Sequence, residues 1–154
     1  MIEVRPTKPE DASRMAPRMR QADIDEIRAS SGLNHYEGLQ QSVKASVECY
    51  TAWIGNSPIA IFGISATDNE SIACIWMLGT DIIKEHRIEF LRKSREWVDE
   101  FQNTYSVLFN NIDARNTVHI KWLQWLGFTF INQFPEYGAE LRPFYQFVRI
   151  NSNV

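Results

Sequence analysis

Cysteine is nearly absent from this chain of 154 residues. There are two, Cys49 and Cys74, with no CxxC pair and no spacing that would hold a metal. Both sit among apolar neighbours, so they read as reduced core residues rather than a disulfide. Positive charge is not in excess: 16 Lys and Arg stand against 19 Asp and Glu, for a net charge of −3. A general nucleic-acid footprint needs a clustered basic surface, so nucleic acid is not an expected partner. No apolar run approaches the roughly 18–20 residues that cross a bilayer. The first residues carry no basic segment followed by an apolar stretch, so no signal peptide is expected. These features predict a soluble, cytoplasmic protein with no membrane partner.

What is present is a packed chain: 44% of residues are hydrophobic and 12% aromatic. That length suits one domain, residues 1–154, with a substantial core. Residues 2–5 alternate as a short strand. Thr7 with Glu10 matches a capping box, with Pro9 tolerated in the first turn. The helix that follows carries Ala12, Met15 and Met19, and Pro17 should kink or end it. Residues 23–29 form a second short helix, stopped by Ser30-Ser31-Gly32. Residues 36–48 form a third, with Leu39, Val43 and Val47 on one face.

A hairpin follows, with strands 51–54 and 58–64 around a three-residue turn, Gly55-Asn56-Ser57. Residues 72–78 are apolar on both parities and should form a central strand covered on both faces. Residues 84–102 make the longest helix. An apolar run from Tyr105 leads into Asn110-Asn111-Ile112-Asp113-Ala114-Arg115-Asn116. A helix of under three turns then ends at Gly127-Phe128. Strands 128–134 and 143–150 close the chain, with Pro135 to Gly138 as the loop between them. Phe134, Phe144, Tyr145 and Phe147 are expected on the inner face of that hairpin. The fold class is therefore α/β, a mixed, mostly antiparallel central sheet of about 6–7 strands with helices on both faces.

The strand–Asn116–helix–Gly127-Phe128 unit, with this order of elements, resembles the GNAT acyl-CoA N-acyltransferases over essentially the whole chain. The start, a strand ending in Arg5-Pro6 before a helix, is similar to that family's usual start. Trp76-Met77-Leu78-Gly79-Thr80, Phe90-Leu91-Arg92-Lys93-Ser94, Asp113-Ala114-Arg115-Asn116 and Trp122-Leu123-Gln124-Trp125-Leu126-Gly127-Phe128 resemble small phage-encoded GNAT-like proteins, internal or morphogenesis proteins of short-tailed coliphages. The resemblance implies transfer of an acetyl group from acetyl-CoA to an unknown amine or protein acceptor. The alternative it implies is a catalytically degenerate scaffold used as an internal virion, morphogenesis or host-interaction protein. Its partners would then be phage or host proteins, in the host cytoplasm or the virion, and acetyl-CoA would be absent.

On this resemblance Trp76, Leu78, Gly79, Thr80, Arg87, Asn111 and Asn116 would border acetyl-CoA. The end of the central strand should splay from its neighbour there, leaving backbone groups for the pantetheine. Two departures stand out. The family's glycine-rich diphosphate loop is replaced by Gly79-Thr80-Asp81-Ile82-Ile83-Lys84, with a single early glycine. Lys84, His86, Arg87 and Arg92 could contact phosphates or form a solvated face paired with Glu85 and Glu89. The family's tyrosine acid, seven residues after the asparagine, is here Leu123. The remaining acid–base candidates are Asp113, Asp23 and Glu26, with Asp25 beside them. His119 reads as a surface or structural residue, and Trp76, Trp97, Trp122 and Trp125 as core.

Overall fold

The computed structural model describes residues 1–151. Its strands form one seven-stranded sheet in the order β1-β2-β3-β4-β5-β7-β6. β1 is Glu3–Pro6, β2 Glu48–Ile54, β3 Ser57–Ala66, β4 Ile72–Gly79, β5 Val107–Asp113, β6 Thr129–Tyr137 and β7 Arg142–Ile150. The helices are α1 (Pro9–Met15), α2 (Gln21–Ser31), α3 (His35–Ala45), α4 (Arg87–Gln102) and α5 (Thr117–Trp125). Every neighbouring pair of strands is antiparallel except β4 and β5, which are parallel and joined through α4. This is the mixed, mostly antiparallel sheet that the alternation of elements predicts. Among the described residues no helix is long and apolar enough to cross a membrane.

Helices cover both faces because β3 and β4 are apolar on both parities. Ile61 and Leu78 pack with Met15, Ile27 and Leu39 beneath α1, α2 and α3. Ile64 and Ala73 point to the other face, where Val98 and Phe101 of α4 and Leu123 of α5 meet them. Phe144 and Phe147 are buried, as an inner hairpin face requires.

Several local expectations are corrected. Thr7 does not cap α1. Its hydroxyl bonds the Thr51 hydroxyl at 2.9 Å, and Asp11 instead accepts the Lys8 N–H at 2.9 Å. Pro17 does end the helix, which passes into a 3₁₀ turn over Ala16–Arg18. α3 stops at Ala45, because Val47 N–H is already committed to Ile64 O of β3 at 2.8 Å. The β2–β3 turn has two residues, since Ile54 pairs with Ser57. Gly55 supplies the positive φ, 56°, at its first central position. The long helix begins at Arg87, not Lys84, because Asp81–His86 wind as 3₁₀. Pro135 lies inside β6 rather than in a loop, which the outer strand of a sheet permits.

Trp122 is buried, Trp76 and Trp97 are half-buried, and Trp125 is exposed, with Arg95 stacked 3.8 Å from its ring centroid. Cys49 and Cys74 are free thiols, and burial pushes both up, Cys74 to about 11.

Candidate functional site

The β4–β5 ladder is short. Ile72, Ala73 and Cys74 pair with Val107, Leu108 and Phe109, and no further pairing follows. Asn110 closes the fork by donating its side-chain N–H to Ile75 O at 2.7 Å. Beyond that bond the strands part, so the splay that the resemblance implies is present. Parity along β4 carries meaning here. Gly79 turns its N–H and C=O toward the gap, so Met77, two residues earlier, turns its own into the same gap.

The wide end of the gap is occupied by the start of α2. Asp23, fully buried, accepts the Gly79 N–H at 2.9 Å. Arg20 N–H donates to Gly79 O at 2.8 Å, and Met19 forms a β-bridge with Thr80. The Arg20 guanidinium, itself buried, donates to Asp23 at 3.1 Å and to the Asn116 side-chain oxygen at 3.2 Å. Asn116 in turn donates to Asp23 at 3.2 Å and to Glu26 at 3.4 Å. Glu26 also accepts the Asp113 N–H at 2.9 Å. A four-residue polar cluster thus stitches α2 to the start of α5 and the end of β5. Asn116 occupies the N-cap position of α5 without a side-chain capping bond, because its amide is spent on this cluster.

Burial raises the Asp23 carboxyl, against the opposing pull of Arg20 and the Gly79 N–H. Burial, then the Asp23 charge, pushes Glu26 up to about 8, so at neutral pH it holds a proton. Asp113 behaves differently. Burial would raise it, but its bonds to Arg115, the shortest 2.6 Å, leave it below the ordinary carboxylate value. It is a weak base with its oxygens already engaged. Asp25 accepts from Gln21 at 2.9 Å and, after Asp113, adds its charge to the surroundings of Arg115. Of the acid–base candidates, the structure brings Asp23 and Glu26 together at the gap and sets Asp113 beside them through its backbone.

A cavity of about 260 Å³ threads the gap, reaching from Ile27 and Ser42 on one face of the sheet to Trp97 and Leu126 on the other. Trp76, Leu78 and Asn111 line it, as does Glu26. Trp76 is oriented by donating its indole N–H to the Ser46 hydroxyl at 2.7 Å. Gly79, Thr80 and Asn116 sit outside the lining, within the closed end of the gap. Thr80 directs its N–H and hydroxyl to Ile59 O. Arg87 is exposed at the start of α4.

Sequence reasoning missed Arg20. Arg20 is a buried cation at the N-cap of α2, three positions before Asp23 and seven before Ile27, in step with the buried face of the helix. A charged residue in step with an apolar face is the signal that could have found it. Of the two readings of His119, surface or structural, the structure takes the second: it lines the cavity one turn before Leu123, on the same side of α5. Burial, then Arg20, pushes its imidazole down to about 3, so it is neutral and cannot act as the acid that Leu123 fails to supply.

The diphosphate of an acyl-CoA does not fit the residues present. The Gly79 backbone is bonded to Asp23 and Arg20. A Cβ at Gly79 would meet Ile83 Cδ1 at 2.5 Å, so the turn after β4 is packed with an apolar side chain rather than open as an anion cradle. Asp81 and Lys84 pair with one another at 3.4 Å, and Glu89, in the first turn of α4, accepts the Ile2 N–H at 2.7 Å. Lys84 thus pairs with Asp81 rather than with Glu85 or Glu89, while Glu89 is held below the ordinary carboxylate value by the Ile2 N–H and, after it, by the N-terminus and His86.

Residues 50–135 match the family model described as "Bacteriophage T7, probable scaffold protein Gp13". The chain belongs to that family. It is 28% identical over 142 residues to the "Probable scaffold protein gp13" of Escherichia phage T7, covering 90% of this chain and 92% of that protein. Solved structures show that this member of the Gp13 scaffold family has the GNAT acetyltransferase fold. The ribosomal-protein-S5-alanine acetyltransferase from Vibrio fischeri is similar at a TM-score of 0.71 and 17% identity, covering 99% of this chain and 94% of that one. A GCN5-related N-acetyltransferase from Kribbella flavida gives 0.71 at 13% identity, covering 97% and 98%. A GNAT-family acetyltransferase from Streptococcus pneumoniae gives 0.66 at 13%, covering 98% and 100%.

Proposed function

We propose that this chain is a phage morphogenesis protein, a GNAT scaffold acting as one domain that binds phage or host proteins during assembly in the host cytoplasm. The observation that carries the reading is the sealed end of β4: Gly79 N–H held by Asp23, Gly79 O held by the Arg20 N–H. The fold survives, while the backbone that would meet an acyl-CoA diphosphate is used to hold the protein together. Fold does not fix function, and the same scaffold can serve as a binding module. Membership of the Gp13 scaffold family supports the same direction.

The experiment is complementation. A phage deleted for this gene should form no infectious particles, and supplying the protein in trans should restore them. Glu26→Gln, checked for folding by circular dichroism, should restore the titre as well as the parent chain does. A folded Glu26→Gln protein that fails to restore it would contradict an assembly role without chemistry.

A second reading is transfer of an acetyl group from acetyl-CoA to an amine. The cavity through the split sheet, with the Met77 amide turned into it and Glu26 on its wall, favours it. Glu26 and Asp23 would then be the acid–base groups, and Trp76, Leu78 and Asn111 the residues nearest the bound molecule.

A further inference from the structure

We infer that the groove between the edge strand β1 and helix α4 is a docking site for a short, extended, arginine- or lysine-bearing segment of another protein. The inference deepens the assembly reading by giving the chemistry of one partner, and it rests on that reading.

The sheet ends at β1 on one side. A groove of about 750 Å³ runs along this edge, with Ile2, Val4 and Trp97 on its walls. Val4 and Trp97 stand between it and the inner cavity and line both. The strand edge is open at one residue. Thr7 donates its N–H inward to Cys49 O at 3.0 Å. Alternation then turns Arg5 and Glu3 inward and Val4 outward. The Ile2 N–H also points outward, but Glu89 holds it at 2.7 Å, and Pro6 has no N–H. Val4 therefore offers both an N–H and a C=O, enough to pair with one residue of an extended chain. The side chain of that residue would share the face of Val4, toward α4.

The charge along α4 decides what the segment carries. Near Ile2, the Lys93 charge offsets Glu89. Arg5 turns away, pairing with Glu3 at 2.6 Å and lying over the Trp53 ring. At the Pro6 end the balance is lost. Pro6 is opposite Tyr50 in β2, and the Tyr50 and Trp97 rings lie 4.2 Å apart. Glu48 accepts the Tyr50 hydroxyl at 2.7 Å, and the Glu100 charge is felt at the same hydroxyl. Glu96 and Glu100 are exposed, and among the described residues neither has a cation within salt-bridge distance. Two aromatic rings beside three carboxylates make a seat for a guanidinium or ammonium group. A segment residue two places from the one at Val4 would lie opposite Pro6 and reach that seat.

The test is calorimetry on the full chain at physiological salt with a capped seven-residue peptide alternating valine and arginine. It should bind at least tenfold more tightly than the same peptide with glutamine or glutamate in place of arginine. N-methylation of its arginine amides blocks pairing with Val4 and should weaken it at least fivefold. Glu96→Lys with Glu100→Lys, both at exposed positions, should reverse the preference and make the glutamate peptide the tighter. Absence of binding by the arginine peptide, equal binding of the glutamine peptide, or indifference to N-methylation would overturn the inference. So would spermidine binding as tightly, or self-association in sedimentation that the charge reversal abolishes, since a free polyamine or a second copy would then be the occupant. Supplied in trans, the charge-reversed chain should restore at least tenfold fewer infectious particles than the parent chain. Equal titres would overturn the inference and leave the assembly reading standing, whereas a parent chain that restores none would overturn the assembly reading itself.

Discussion

The Asp23 carboxylate accepts the Gly79 amide at 2.9 Å, joining the second helix to the end of the central strand across 56 residues of sequence. That bond places a buried anion where the two parallel strands part, and Arg20 and Asn116 make the anion tolerable. The polar cluster therefore does two things. It closes the open end of the fork, and it fixes the helix that carries Glu26 against the cavity.

Asp23→Ala leaves the Arg20 guanidinium buried without its carboxylate. Breaking a buried ion pair from one side typically costs about 3–5 kcal/mol. Asp23→Asn keeps an acceptor for Gly79 and Arg20 and should cost distinctly less. Urea denaturation at pH 7 measures both. A loss below about 1 kcal/mol for the alanine variant would mean that the cluster is not structural.

Glu26 and His119 give opposite pH dependences. Glu26 keeps its proton to about 8 when folded and to 4.5 in its ordinary state. Between those values unfolding releases a proton, so stability falls as pH rises, by about 1.4 kcal/mol per pH unit for one proton. His119 is depressed from 6.5 to about 3, so the unfolded chain binds the extra proton and stability rises with pH over that range. The two offset each other between 4.5 and 6.5 and leave a fall from 6.5 to about 8. Glu26→Gln should abolish that fall and uncover the rise below pH 6.5. Parallel curves for parent and variant above pH 6.5 would contradict the protonated Glu26.

The chemistry of the last strand–helix unit was legible in sequence, and its use was not. Gly127 takes a left-handed φ of 89° after α5, and Phe128 is buried, as the pattern implied. Asn116 reads as a cap, but its amide reaches Arg20, 96 residues away, a bond that no local pattern reports. Thr7 failed for the same reason, since Thr51 offered its hydroxyl a partner across the sheet. The 3₁₀ turn over Asp81–His86 escaped because Lys84 to Arg87 continue the polar pattern of the helix. Its winding is instead set by Ile83 packing onto Gly79.

Gly138→Ala tests how the last hairpin holds α2. Gly138 has φ 72°, and a Cβ there would lie 2.5 Å from Ala29 O and 2.7 Å from Ser30 Cα. The next two residues donate their N–H groups to Ser30 O and Ala29 O, satisfying the carbonyls that end the helix. The substitution combines an unfavourable φ with a backbone clash, and should cost about 1–3 kcal/mol. Hydrogen exchange should rise selectively in α2 and the 138–141 turn. Unchanged protection there would show that the hairpin does not anchor the helix.

The closure of β4 by Asp23 and Arg20 is tested most directly by titrating acetyl-CoA into the full chain by calorimetry, with thermal unfolding in parallel. A ligand at a hundred times its dissociation constant raises stability by about 2.7 kcal/mol. With the Gly79 backbone engaged and Ile83 filling the turn, no heat of binding and no rise in Tm are expected up to millimolar acetyl-CoA. Saturable binding with a matching rise in Tm would contradict the closure and favour the acetyl-transfer reading.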